Sequence, residues 1–112
     1  SLHIARGQLS LAEDFCRQLE DAAKQYQSRA WVAMARQARG ELSIARNDLE
    51  TALTCYEEAS QAFKDMGNEY ESARCLAAMA EIRRKRKSPG DAKLARGEAA
   101  EAGQILERLN AS

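Results

Sequence analysis

Apolar residues in this chain recur at spacings of three and four, the pattern of helices that bury one face. Leu11, Phe15, Leu19, Ala22, Ala23 and Tyr26 predict a first full helix from about Leu9 to Gln25, and residues 2–8 read as the end of an earlier one. Gln27-Ser28 breaks the pattern, with Ser28 placed to cap the next helix through its hydroxyl. That helix, about Arg29 to Arg46, carries Trp31, Met34, Ala35, Ala38, Leu42 and Ala45 as its stripe. Asn47-Asp48 interrupts it, and Asp48 caps a third helix from Leu49 to Met66. Met66-Gly67-Asn68 is a stop, because glycine takes the left-handed conformation without strain. A fourth helix, about Glu69 to Lys87, is apolar nearly all round, which suits a helix lying between neighbours. Ser88-Pro89-Gly90-Asp91 is the clearest loop, with Asp91 as N-cap of a last helix from Ala92 to Leu109. Its stripe is Leu94, Ala95, Ala99, Ala102, Ile105, Leu106 and Leu109. Loops this short leave consecutive helices no option except antiparallel packing.

Parts of the pattern repeat. Ile4-Ala5-Arg6-Gly7-Gln8 echoes Ile44-Ala45-Arg46-Asn47-Asp48, a period of 40 residues that also places Ala12 on Ala52, Ala22 on Ala62 and Tyr26 on Met66. Downstream, a period of 43 places Ala95 on Ala52, Leu106 on Phe63 and Leu109 on Met66. Periods of this size mark stacked helical arrays, whose units need each other to bury their apolar faces. Arrays bind more often than they catalyse.

Composition agrees. The 112 residues are 45% hydrophobic and 30% charged, with 5% aromatic residues and one proline, Pro89. An alanine-rich chain this poor in rings and β-branched residues builds its core by close approach of helices. Seventeen cations balance seventeen anions, which argues against a general nucleic-acid or membrane-surface binder. No apolar run approaches a membrane span. Cys16, Cys55 and Cys75 are odd in number and dispersed, a poor disulfide or zinc set, so buried free thiols and a cytoplasmic location are expected. A chain that opens at Ser1 without methionine reads as one domain, 1–112, cut from a longer protein.

Candidate chemistry is sparse, and no catalytic centre, metal site or cofactor is expected. His3 is the single histidine, at the terminus with no second ligand near it in sequence. Glu57-Glu58 and Glu69/Glu71 are neighbours that a helix points in different directions. The glycines are isolated, so no loop cradles a phosphate. Trp31 reads as core. Arg83-Arg84-Lys85-Arg86-Lys87 is the one outlier. Cations belong in a helix's last turn, where they meet the negative end of its dipole, and a five-residue run covers every side rather than one face.

Arg39-Gly40-Glu41-Leu42 followed by Ala45-Arg46-Asn47-Asp48, with Ala52, Tyr56 and Ala59 after the turn, resembles a tetratricopeptide repeat (TPR), in the long form of maltose-regulator-type bacterial signalling proteins. Gly40 takes the small position of the first helix, and Ala52, Tyr56 and Ala59 the small–aromatic–small positions of the second. The likeness runs from about Ile4 to Leu109. It departs at Arg36 and Arg39, where apolar residues are usual, at Pro89 inside the last pair, and at Gly97 and Gly103. The resemblance implies an all-α, right-handed superhelical stack of antiparallel helix pairs with about five helices. It also implies a non-catalytic module that binds a peptide or neighbouring domain in a concave groove, within a larger regulatory ATPase, kinase, cyclase or transcription regulator. Carried over by position, the groove face comprises Met34, Gln37, Glu41 and Ile44, then Leu76, Met79, Arg83 and Arg86. The rival from another class is a homodimer formed through the end helices, Leu9 to Tyr26 or Leu94 to Leu109. Nucleic-acid contact through Arg83 to Lys87 is a third reading, which the neutral net charge disfavours.

Overall fold

The computed structural model describes residues 8–111, so His3 and the Ile4–Gly7 part of the repeat lie outside the described residues. The described residues form five helices and no strand: α1 (Leu9–Tyr26), α2 (Arg29–Ala45), α3 (Leu49–Asp65), α4 (Glu69–Arg86) and α5 (Asp91–Asn110). Each packs chiefly against its neighbours in the chain, giving a helical stack.

The turns explain the regularity. Gln27, Asn47, Gly67 and Lys87 all have positive φ, at 48°, 59°, 76° and 58°, and fall twenty residues apart. The repeat seen in sequence as 40 residues is thus a pair of twenty-residue helix-plus-turn units. At the end of α2 the Asn47 N–H donates to the Ile44 carbonyl and the Asp48 N–H to the Ser43 carbonyl. At the end of α3 Gly67 and Asn68 do the same toward Lys64 and Phe63. This pair of hydrogen bonds satisfies carbonyls that a helix end leaves open. The next residue then starts the following helix: Ser28, Asp48 and Asn68 accept from the backbone N–H of Trp31, Thr51 and Glu71.

The fourth turn departs. Ser88 to Asp91 closes a β-turn, the Asp91 N–H donating to the Ser88 carbonyl at 3.0 Å, with Pro89 at its first central position and Gly90 (φ 86°) at its second. Proline and glycine are what a type II turn requires there. Gly90, not Asp91, is therefore the residue before α5, and the expectation that Asp91 caps its helix is corrected. Its carboxylate instead accepts from the Ser88 N–H, Arg86 and Arg83.

The core centres on α3, held between α2 and α4: Ala33, Ala52, Leu53, Tyr56, Ala59, Phe63, Cys75, Met79 and Ile82. Ala52, Ala59 and Ala33 are wholly buried, letting the helix axes close in. Gly40 serves the same end, since a Cβ there would lie 2.7 Å from Tyr56 Cε2. Helix α4 buries Cys75, Met79 and Ile82 in this core, and Ala73, Ala80 and Arg83 as well, as befits an inner helix. All three cysteines are buried and unbridged. Burial pushes the Cys75 thiol up to about 12.

Two helical stripes are narrower than their periodicity predicts. In α1 Cys16 and Leu19 are buried, whereas Leu11, Phe15 and Tyr26 are more than half exposed. Among the described residues, α1 packs substantially against α2 alone. In α2 the buried positions are Ala33, Ala35, Gly40, Leu42 and Ser43, with Met34 exposed.

Candidate interaction cleft

Helices α2 and α4 both pack against α3, and residues of all three line a cleft of about 320 Å³. Gln37, Glu41 and Ile44 form the α2 wall; Arg74, Ala77, Ala78, Glu81, Ile82 and Lys85 form the α4 wall; Tyr56 of α3 supplies the floor. Tyr56 can sit there because Gly40 has no side chain, so a packing position also shapes the cleft.

The cleft mixes apolar residues (Ile44, Ala77, Ala78 and Ile82) with polar and charged ones (Gln37, Glu41, Arg74, Glu81 and Lys85). At one end Glu71 accepts from Gln37 at 3.4 Å and from Arg74 at 2.9 Å, tying α2 to α4. At the other, Glu81 pairs with Arg84 at 2.6 Å beside Lys85. Glu41 lies half-buried between them. Desolvation raises its carboxyl above the ordinary range, and the charge of Arg74 only partly offsets this. Desolvation likewise raises the Tyr56 phenol, with the neighbouring Glu41 charge adding to it.

The predicted groove residues separate here. Gln37, Glu41 and Ile44 line the cleft, and Met34 is exposed on the same helix before it. On α4 the inferred residues lie outside this cleft. Met79 belongs to the core, and Leu76 packs against that core. Arg83 is buried, donating to both Glu98 oxygens at 2.9 Å and to Asp91 at 3.5 Å. Arg86 pairs with Asp91 at 2.7 Å and Glu50 at 2.8 Å. The α4 face of the cleft is Arg74, Ala77, Ala78, Glu81, Ile82 and Lys85, one to two residues away from the face inferred from the repeat pattern. Because α4 is apolar on several sides, periodicity could not choose its open face. The salt-bridge partners fixed it instead.

Those ion pairs form two clamps. Arg39, one of the departures from the repeat pattern, reaches Glu13 at 2.8 Å and Glu20 at 2.9 Å, and Arg46 reaches Glu13 at 2.9 Å, fastening α1 to α2. Hydrogen bonds from Arg39 and Arg46 hold the Glu13 carboxyl down at about 2. The Arg83–Arg86–Asp91–Glu98 cluster fastens α5 to α4. Hydrogen bonds from Arg86 above all, with the Ser88 N–H and Arg83 adding, hold the Asp91 carboxyl well below the usual carboxylate range. Most of the basic run is thus joined to carboxylates rather than free for a polyanion.

Among the described residues no three His, Cys, Asp or Glu side chains gather where they could hold a metal ion. No helix among them is long and apolar enough to cross a membrane. No family model, curated protein or solved structure matches this chain.

Proposed function

We propose that the chain is a non-catalytic interaction module of the tetratricopeptide type, which receives a segment of another protein, or of a neighbouring domain, in the α2–α4 cleft. The observation that carries this reading is the cleft's construction. Two helices offer apolar residues interspersed with a few charged ones over a floor whose aromatic ring is seated by Gly40. Concave sites with few placed polar groups among apolar ones are where ligands bind. The repeat-type reading draws support from the complete burial of Ala52 and Ala59 and the Gly40–Tyr56 contact, the positions that carried the resemblance. Membership in a larger regulatory ATPase, kinase, cyclase or transcription regulator rests on that resemblance alone.

A random peptide library displayed against the immobilised chain tests the reading. Ala77 is exposed in the cleft wall and outside the core, so Ala77→Trp fills the cleft without disturbing the fold. Selected peptides should bind the parent chain and fail on Ala77→Trp. Peptides that bind both equally would move the site elsewhere.

A second reading is self-association through α1, favoured by its outward Leu11, Phe15 and Tyr26, which are 70%, 56% and 62% exposed. Light scattering over a concentration series decides it. A mass that stays monomeric removes this reading, and a rising mass that Phe15→Asp abolishes establishes it.

A further inference from the structure

The outward face of α1 is an apolar stripe that the described residues leave largely uncovered. Leu11, Phe15 and Tyr26 are 70%, 56% and 62% exposed and, with Ala22 among them, fall on one side of the helix. On the 40-residue register Ala12 corresponds to Ala52, Phe15 to Cys55 and Ala23 to Phe63. Helix α3 lies between α2 and α4 and buries all three of its residues, whereas α1 packs substantially against α2 alone.

The ion pairs of the stack show what kind of helix covers such a stripe. Arg36 of α2 meets Glu58 of α3, Arg39 meets Glu13 and Glu20 of α1, and Arg46, just after α2, meets Glu13. Arg83 of α4 meets Asp91 and Glu98 of α5, and Arg86 meets Asp91 and Glu50 of α3. Among the described residues, pairs between helices thus set arginines on the α2 and α4 side against carboxylates of α1, α3 and α5. The exposed Arg108–Glu69 pair runs the other way. Helix α1 carries Glu13, Asp14, Glu20 and Asp21 against Arg17 and Lys24, four acids to two bases, a net charge of −2. Asp14 and Asp21 are exposed, seven residues apart, and directly precede Phe15 and Ala22. These are flanking positions, where paired helices exchange ion pairs.

We propose that this face is a docking surface, separate from the cleft, for an amphipathic helix of a partner protein whose apolar stripe is edged by arginine or lysine. The stripe covers Leu11, Phe15, Ala22 and Tyr26, and the cations lie along Asp14 and Asp21 in the same sense as Arg39 against Glu13 and Glu20. A second copy brings another α1 of net charge −2 to this face, and an anionic lipid surface meets the same repulsion, so a basic helix matches it better than either.

The test is a ¹⁵N chemical-shift titration of the whole chain with a synthetic peptide of residues Ser28–Arg46, which holds four arginines against Glu41. A companion peptide carries Arg36→Glu, Arg39→Glu and Arg46→Glu. The first should shift the amides of Leu11, Phe15, Ala22 and Tyr26, weaken with added salt, and bind about tenfold or more tightly than the companion. Phe15→Asp should abolish binding with the rest of the spectrum unchanged, since that ring lies outside the core. Equal binding of the two peptides would overturn the basic edge, and no shift in α1 would overturn the docking surface. Shifts at Ala52, Tyr56 and Ala59 would mean that the peptide replaces α2 within the stack, and would overturn it too. A mass that doubles with concentration, and that Phe15→Asp returns to the monomer, would assign the face to a second copy. The cleft reading stands or falls separately, on Ala77→Trp.

Discussion

Gly40 and Tyr56 meet where the core borders the cleft. A methyl at residue 40 must displace a ring that is 4% exposed. Overpacking of this kind costs about 1–3 kcal/mol, against a helix-propensity gain of about 1 kcal/mol for glycine to alanine. Gly40→Ala should therefore lower Tm in a thermal melt. Gly97→Ala and Gly103→Ala meet nothing within 4 Å and should raise it. Glu41 gives the complementary residue-scale prediction. Its folded pKa is raised, so its contribution to stability is present below its unfolded pKa and is lost as pH rises through the folded value. Glu41→Gln removes that loss. The variant should melt higher than the parent at neutral pH, and the gap should close as pH falls to about 4, the ordinary glutamate range. A gap that is absent at neutral pH would mean that Glu41 is well solvated.

At the level of elements, the caps were the most legible feature. Ser28, Asp48 and Asn68 sit one residue after a helix break, and each accepts from the N–H three residues on. Helix ends accordingly fall within about a residue of where capping chemistry puts them. Asp91 looks like a cap because it is an acid after Pro-Gly, whereas the type II turn carries it into α5 and turns its carboxylate back on Arg86 and Arg83. The α2 side of the cleft was readable from the repeat register, and the α4 side was not. Cross-helix ion pairs choose the open face of an all-round apolar helix, and partners such as Arg83 and Glu98 lie fifteen residues apart with no local signal. Asp91→Ala leaves Arg83 and Arg86 without their shared acceptor at the α4–α5 junction. Hydrogen exchange in α5 should speed up, while Arg84→Ala, which removes only a surface pair to Glu81, should leave it unchanged.

For the whole molecule, the clamps at the two ends of the stack set its response to acid. The Glu13 and Asp91 carboxyls are held down by their arginines, so the unfolded chain takes up protons first as pH drops. The stability they confer is fully present above about pH 4.5 and is lost progressively as pH falls toward 2. Tm followed from pH 6 to pH 2 should fall over that interval, and Glu13→Gln should flatten part of the fall. The same stack holds α2 and α4 at the separation that makes the cleft, so under the proposed reading binding specificity falls to cleft residues that neither cap nor pack. The most direct measurement is paramagnetic relaxation enhancement, using a library-selected peptide that carries a nitroxide label. The account predicts that the amides of Gln37, Glu41, Ala77, Ala78 and Lys85 broaden while those of Leu11, Phe15 and Tyr26 stay sharp. Broadening confined to α1, with the α2–α4 cleft untouched, would contradict it.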